Sequence, residues 1–141
     1  MSADKRLHVS IKSDFAEIKD AWHKIADLLK SLGLSSDDLF DIHLSAEEAM
    51  VNAVKYGNKF DPKLFVDITV SCNGREIKIS VKDQGKGFDY AHTPDPTTNE
   101  NIAKASGRGV YLINKLMDEV HYNKEGNEII MVKFIKNQGS R

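Results

Sequence analysis

The stretch LFVDITVSCNGREIKISV, residues 64–81, sets the fold class. Leu64 to Cys72 and Glu76 to Val81 are rich in Val, Ile and Thr and are read as two strands. Asn73-Gly74 joins them and is a strong hairpin signal. On the N-terminal side, Leu7 to Ile11 alternates apolar and polar residues as an edge strand would. Ser13 and Asp14 can cap a helix whose apolar positions are Phe15, Ile18, Ala21, Trp22, Ile25, Leu28 and Leu29. Their spacings of three and four make one stripe. Gly33 ends that helix. Ser35 or Ser36 caps a second one, with Asp37 and Asp38 in the first turn where the helix dipole favours acids. It is expected to run to about Tyr56 and to stop at Gly57-Asn58.

On the C-terminal side the strand pattern ends after Val81. From Asp83 to Gly109 the chain has four glycines, Pro94, Pro96 and the polar run Thr97-Thr98-Asn99-Glu100. A loop of that length is unusual in a compact domain and is often a functional lid, here from about Phe88 to Ser106. Val110, Leu112, Ile113, Leu116 and Met117 make a short amphipathic helix. Val120 to Tyr122 and Ile129 to Ile135 form a last hairpin across Glu125-Gly126-Asn127. Two helices before one strand pair, and one helix before another, give an α+β fold: an antiparallel-rich sheet with helices on one face.

The 141 residues fit a single domain, residues 1–141, with its own core. Hydrophobic residues are 40% and charged residues 29%, as in a soluble globular protein. A net charge of −1 gives no footprint for direct nucleic-acid or anionic-membrane binding. No apolar run approaches the ~20 residues that span a bilayer, and the polar N-terminus shows no secretory signal. The single Cys72 cannot form an internal disulfide, which suits a reducing, cytoplasmic compartment. It reads as a buried strand residue. Trp22 reads as core packing. The five histidines are scattered and, with one cysteine, give no zinc spacing.

Three clusters carry candidate chemistry. Glu48 and Asn52 are four residues apart, so they share a helix face about 6 Å apart along the axis. Lys55 and Tyr56 continue that face. Leu44, Ala49, Met50, Ala53 and Val54 let the same helix pack regardless. Asp83-Gln84-Gly85-Lys86-Gly87-Phe88 follows a strand directly. A carboxylate there can accept a hydrogen bond from a ligand amino group, and the glycines let the backbone come close to it. Ser106-Gly107-Arg108-Gly109 opens a helix, whose free N–H groups and dipole suit an anion. Arg108 adds a fixed charge and forked donors. Without a preceding strand this is no Rossmann fingerprint, and without G-K-[ST] it is no Walker A loop.

Together, in this order, the clusters resemble the N-box, G1-box and G2-box of the GHKL superfamily, from about Leu7 to Ile135. The string from Ser106 to Asp118 and the short chain look most like the bacterial anti-sigma-factor serine kinases. That resemblance implies a two-layer α/β sandwich of the GHKL (Bergerat) type, with a mixed, mostly antiparallel sheet. It implies ATP and Mg²⁺ as cofactors, a sigma factor and an anti-anti-sigma protein as partners, and a homodimer. By it, Glu48 is the general base for a substrate serine, and Asn52 holds Mg²⁺ between the phosphates. Asp83 binds the adenine amino group, while Gly85 and Gly87 make room for the ring. Gly107, Arg108, Gly109 and Val110 hold the phosphates, with Lys55 near them and Tyr56 beside the nucleotide. The chain has Tyr56 where many of these kinases have His, and Gly126-Asn127-Glu128 where they often have a Gly-Thr pair. Two alternatives stay open. One is a non-catalytic ATP-binding module that sequesters a partner. The other is a stand-alone histidine-kinase-like domain, though no phosphoacceptor region precedes the ATP module.

Overall fold

The computed structural model describes residues 4–85 and 105–135, with residues 105–108 described in backbone only. Its elements are β1 (Lys5–Lys12), α1 (Ala16–Leu29), α2 (Ser36–Asn52), β2 (Phe65–Cys72), β3 (Glu76–Lys82), α3 (Ala105–Leu116), β4 (Glu119–Tyr122) and β5 (Glu128–Phe134). The five strands form one sheet in the order β1-β2-β3-β5-β4. Every pairing is antiparallel among the described residues. β2 and β3 are joined by the expected hairpin, where Asn73 Oδ1 accepts from the N–H groups of Arg75 and Glu76 at 2.7 and 3.0 Å. Between β1 and β2 the chain runs through two helices, so it reverses three times and returns antiparallel. β1 is the edge strand that its alternation suggests.

Alternate strand residues face the helices. Val66, Ile68 and Val70 of β2, Ile77 and Ile79 of β3, and Met131 of β5 are wholly buried. They meet Ile25 of α1, Ile42, Ala46 and Met50 of α2, and Ile113 of α3 in one cluster. Burial of each large side chain contributes about 1.5–3 kcal/mol, so this layer contact dominates the stability. Trp22 packs in the core as expected, and His43 of α2 stacks on it with ring centroids 4.2 Å apart and planes 3° apart. Cys72 is buried, and burial pushes its thiol above its ordinary pKa.

The helix ends follow their sequence signals with one change. Ser35 Oγ accepts from the Asp38 N–H at 3.1 Å and starts α2. α1 is followed by a short 3₁₀ turn, and Gly33, at φ 65°, closes it in the left-handed region. Before α1, the Asp14 carboxylate caps the Ala16 N–H at 2.9 Å. Ser13 does not cap; its hydroxyl donates to the Leu64 carbonyl at 2.7 Å and ties the β1–α1 junction to the approach to β2.

One inward position on β5 is charged. Lys133 is 8% exposed, and its ammonium donates to Asp41 Oδ2 at 3.2 Å and to the Leu116 carbonyl at 2.7 Å. One side chain therefore joins β5, α2 and the C-terminal end of α3, where a cation also complements the dipole. α3 begins at Ala105, earlier than the apolar pattern from Val110 implies. The expected lid from Phe88 to Ser106 falls mostly outside the described residues, as does Gly87.

Candidate functional site

α2 presents the first cluster. Its inward face, Ile42, Ala46, Ala49 and Met50, is buried. Four-residue spacing places Glu48 and Asn52 on a different face. Opposite them stands Gly109 of α3. A Cβ on Gly109 would lie 2.5 Å from Asn52 Nδ2 and 3.0 Å from Glu48 Oε1. The two side chains therefore occupy the space that glycine leaves, and the first and third sequence clusters meet here. α3 begins four residues before Gly109, so Gly107, Gly109 and Val110 lie in its first turns. The positive dipole end stands at Ala105 to Arg108. The Arg108 side chain lies outside the described residues.

After Asn52 the helix widens into one π turn, Ala53–Gly57. The Asn58 N–H reaches the Ala53 carbonyl at 2.8 Å, one residue farther than an α-helix would. The expected end at Gly57-Asn58 is right, but the last turn is not α. Gly57 lies directly against the second cluster. A Cβ on Gly57 would fall 2.3 Å from Asp83 Cγ, and one on Gly85 would fall 2.0 Å from the Gly57 carbonyl oxygen. Glycine at 57 leaves room for the Asp83 carboxylate, and glycine at 85 lets its backbone touch that of Gly57.

Asp83 sits just past the end of β3. Its N–H donates to the Asn127 carbonyl at 2.9 Å, and the Asn127 side-chain amide donates back to the Asp83 carbonyl at 3.2 Å. Asn123 Oδ1 gathers the N–H groups of Gly126, Asn127 and Glu128 at 2.8–3.2 Å, which fixes the β4–β5 turn. Burial pushes the Asp83 carboxyl above its ordinary pKa, and the Gly85 N–H, donating at 2.8 Å, opposes that shift. With no cation paired to it among the described residues, this half-buried carboxylate suits an uncharged donor such as an amino group.

Residues of the first two clusters and of α3 line one cavity of about 250 Å³. Its walls include Asn52 and Tyr56 from α2 and its π turn, Asp83 past β3, Val110 and Ile113 from α3, and Asn127 before β5. The volume is near the lower limit of small-ligand pockets, about 300 Å³, and the mix of apolar walls with few polar groups is typical of them. Gly57 lines it beside Asp83, and Glu48 is not among its lining residues. Lys55 does not line it: the side chain is exposed, with Nζ 5.2 Å from the centre of the Tyr56 ring. Asn58 reads in the sequence only as part of the helix stop Gly57-Asn58, and its hydrogen bonds to distant chain carry no local signal.

Residues 11–133 match the family described as the histidine kinase-like ATPase domain. The chain belongs to the histidine kinase-like ATPase family. Among curated relatives, the serine-protein kinase RsbW of Staphylococcus epidermidis is 34% identical over 125 residues, 83% of this chain and 79% of the relative. The protein of the same name from Staphylococcus aureus strain MSSA476 is 32% identical over the same shares, as is that of strain JH9. The family description implies use of ATP. Two glycines clear the backbone beside an acceptor carboxylate, and a third clears it beside a carboxamide and a second carboxylate. Among the described residues no helix is long and apolar enough to cross a membrane, and no group of His, Cys, Asp or Glu could hold a metal by itself.

Proposed function

We propose that this chain is an anti-sigma factor and serine/threonine protein kinase. It binds a sigma factor and phosphorylates a serine of an anti-anti-sigma partner with Mg-ATP, in the cytoplasm and as a homodimer. The observation that carries the reading is that Asn52, which meets Gly109 beside Glu48, lines the same cavity as Asp83. The named relatives, serine-protein kinases, support the choice of acceptor.

When bound, Mg-ATP supplies the transferable phosphoryl group and the cation that neutralises its oxygens. Asp83 accepts a hydrogen bond from the adenine amino group, and Gly85 and Gly87 make room for the ring. Tyr56 flanks the nucleotide. The N–H groups at the start of α3, with Gly107, Arg108, Gly109 and Val110, hold the phosphates. The Asn52 side-chain oxygen suits a hard cation that otherwise keeps waters and phosphate oxygens. Glu48 would accept the proton of the substrate serine hydroxyl as that oxygen takes the γ-phosphoryl group and ADP leaves. Most of the rate comes from placement and charge, since little covalent chemistry falls to the protein.

The test is radiolabel transfer from ATP to the protein captured from native lysate, with wild type and Glu48→Gln. Glu48 lies away from the buried face of α2, so folding and sigma binding should persist. Transfer should fall by about 10²–10⁴, the usual contribution of a placed base. A Glu48→Gln protein that labels the partner at the wild-type rate removes Glu48 from the mechanism. A wild type that binds ATP yet labels nothing indicates a non-catalytic module.

A further inference from the structure

Asn58 has no place in the three sequence clusters, yet it is 2% exposed and every polar atom of its side chain is engaged. Nδ2 donates to Ser13 Oγ at 2.9 Å and to the Phe65 carbonyl at 3.0 Å. Oδ1 accepts from the Gln84 N–H at 2.8 Å. Its own N–H closes the π turn on Ala53, and its carbonyl accepts from Asp61 at 3.0 Å. Four segments thus converge on one side chain and its backbone: the end of α2, the β1–α1 junction, the start of β2, and the loop that carries Asp83.

The bond to Gln84 has a particular location. Asn58 follows Gly57, and Gln84 lies between Asp83 and Gly85. These are the two strips of backbone that touch with no room for a Cβ. Gln84 is held a second time, by its Oε1, which accepts from the Phe65 N–H at 2.5 Å. From the β5 side, Asn127 already fixes the Asp83 backbone. On the α2 side the bond from the Gln84 N–H to Asn58 Oδ1 is the one polar link among the described residues between that loop and the residues ending α2.

We propose that Asn58 is a positioning residue for base recognition. It clamps the Asp83 loop to the end of α2, sets the aim of the Asp83 carboxylate, and holds the base end of the cavity in register with Glu48 and Asn52. This rests on the reading of Asp83 as the acceptor for the adenine amino group. A buried amide suits the task better than an ionic link, because both its donor and its acceptor sides are satisfied without a charge to desolvate.

The test compares affinity for ATP and ITP, which carries a carbonyl where adenine carries the amino group. Calorimetry would be run on the wild type, Asn58→Ala and Ser13→Ala. The wild type should prefer ATP by about tenfold or more, the scale of a hydrogen bond to a charged acceptor. Asn58→Ala should bring the preference within about threefold of unity, a change that loss of stability alone would not produce, since it would weaken both nucleotides alike. Ser13→Ala removes another partner of the same amide but leaves the Gln84 bond, so it should lower the melting temperature and keep the preference. An unchanged preference in Asn58→Ala overturns the proposal, and so does an equal loss in Ser13→Ala. A wild type indifferent to the base removes the Asp83 reading and this one with it. If Asn58→Ala does not fold, amide exchange in the nucleotide-free wild type decides. Gln84 is exposed, so its N–H should exchange slowly only if Asn58 holds it, and fast exchange there overturns the clamp.

Discussion

Replacing Gly109 by Ala should separate stability from catalysis. The new Cβ would meet Asn52 Nδ2 at 2.5 Å, against an ordinary contact that begins at 3.4 Å. Asn52 must therefore retreat by about 1 Å, a displacement of a kind that can cost about 10²-fold in rate when it moves a positioned group. Glu48 Oε1, at 3.0 Å, need give only a few tenths of an ångström. Both obstacles are tips of flexible side chains, so the backbone of α3 need not move. Inside a helix Ala is more favourable than Gly by about 1 kcal/mol, which offsets the cost of displacing Asn52. The expected protein melts within a few degrees of wild type and binds ADP without magnesium within about threefold, because the Asp83 end is untouched. It transfers phosphate to its partner about a hundredfold more slowly, and magnesium strengthens its nucleotide binding less than in wild type. The assays are a thermal melt, calorimetry with and without magnesium, and radiolabel transfer. Transfer at the wild-type rate would refute the placement of Asn52 in the mechanism. A collapse in melting temperature would refute the claim that side chains absorb the clash.

Gly85→Ala should behave differently, because its Cβ would lie 2.0 Å from a backbone oxygen of Gly57 that cannot turn aside. Loss of nucleotide binding together with a lower melting temperature is expected, and a stable Gly85→Ala protein with normal ATP affinity would contradict the close approach. Asp83→Asn keeps the shape and removes the charge, so ATP affinity by calorimetry should drop by about tenfold to a hundredfold, as for a lost charge-assisted bond of about 1.5–3 kcal/mol. Burial raises the Asp83 pKa, so the ionised form weakens the empty protein as pH rises through that value; Asp83→Asn should melt higher than wild type without nucleotide at neutral pH. By the same sign, wild-type ATP affinity should decay on acidification at a higher pH than an ordinary Asp would give, and this decay should be absent in Asp83→Asn. Lys133→Met should cost about 1–3 kcal/mol by urea denaturation, since it leaves Asp41 and the Leu116 carbonyl without their shared donor. A loss under 0.5 kcal/mol, the usual range for unremarkable surface positions, would place that ammonium in solvent.

What was legible in the sequence follows the range of each interaction. The β2–β3 hairpin, the Ser35 cap, the Gly33 stop and the apolar stripe of α1 are fixed by neighbours within a few residues, and each stands where it reads, except that Phe15 falls just before α1 and is exposed. The pairing of β3 with β5 joins residues about fifty apart, so it carries no local signal. α3 extends back to Ala105 because Ala105 and Ser106 tolerate a helix without announcing one. Ser13 reads as a cap from its position, but the Leu64 carbonyl competes for its hydroxyl from fifty-one residues away. Lys133 breaks the rule of apolar inward positions and can do so only because α2 and α3 bring it an acid and a carbonyl. In the site, Glu48, Asn52, Asp83 and the glycines could be picked out by type and spacing. Asn58 could not, because an Asn beside a Gly looks like a turn wherever it occurs.

The stack of Trp22 on His43 has a spectroscopic consequence. Trp22 is the single tryptophan, so the whole indole signal of the protein arises at one contact between α1 and α2. His43 lies on the same helix as Glu48 and Asn52, little more than one turn before Glu48. Ring-on-ring emission is sensitive to small changes in separation and tilt. A shift in fluorescence on adding nucleotide would therefore report movement of the helix that carries the chemistry, with no label introduced. A steady signal through a complete binding titration would mean that α2 is already set before the nucleotide arrives.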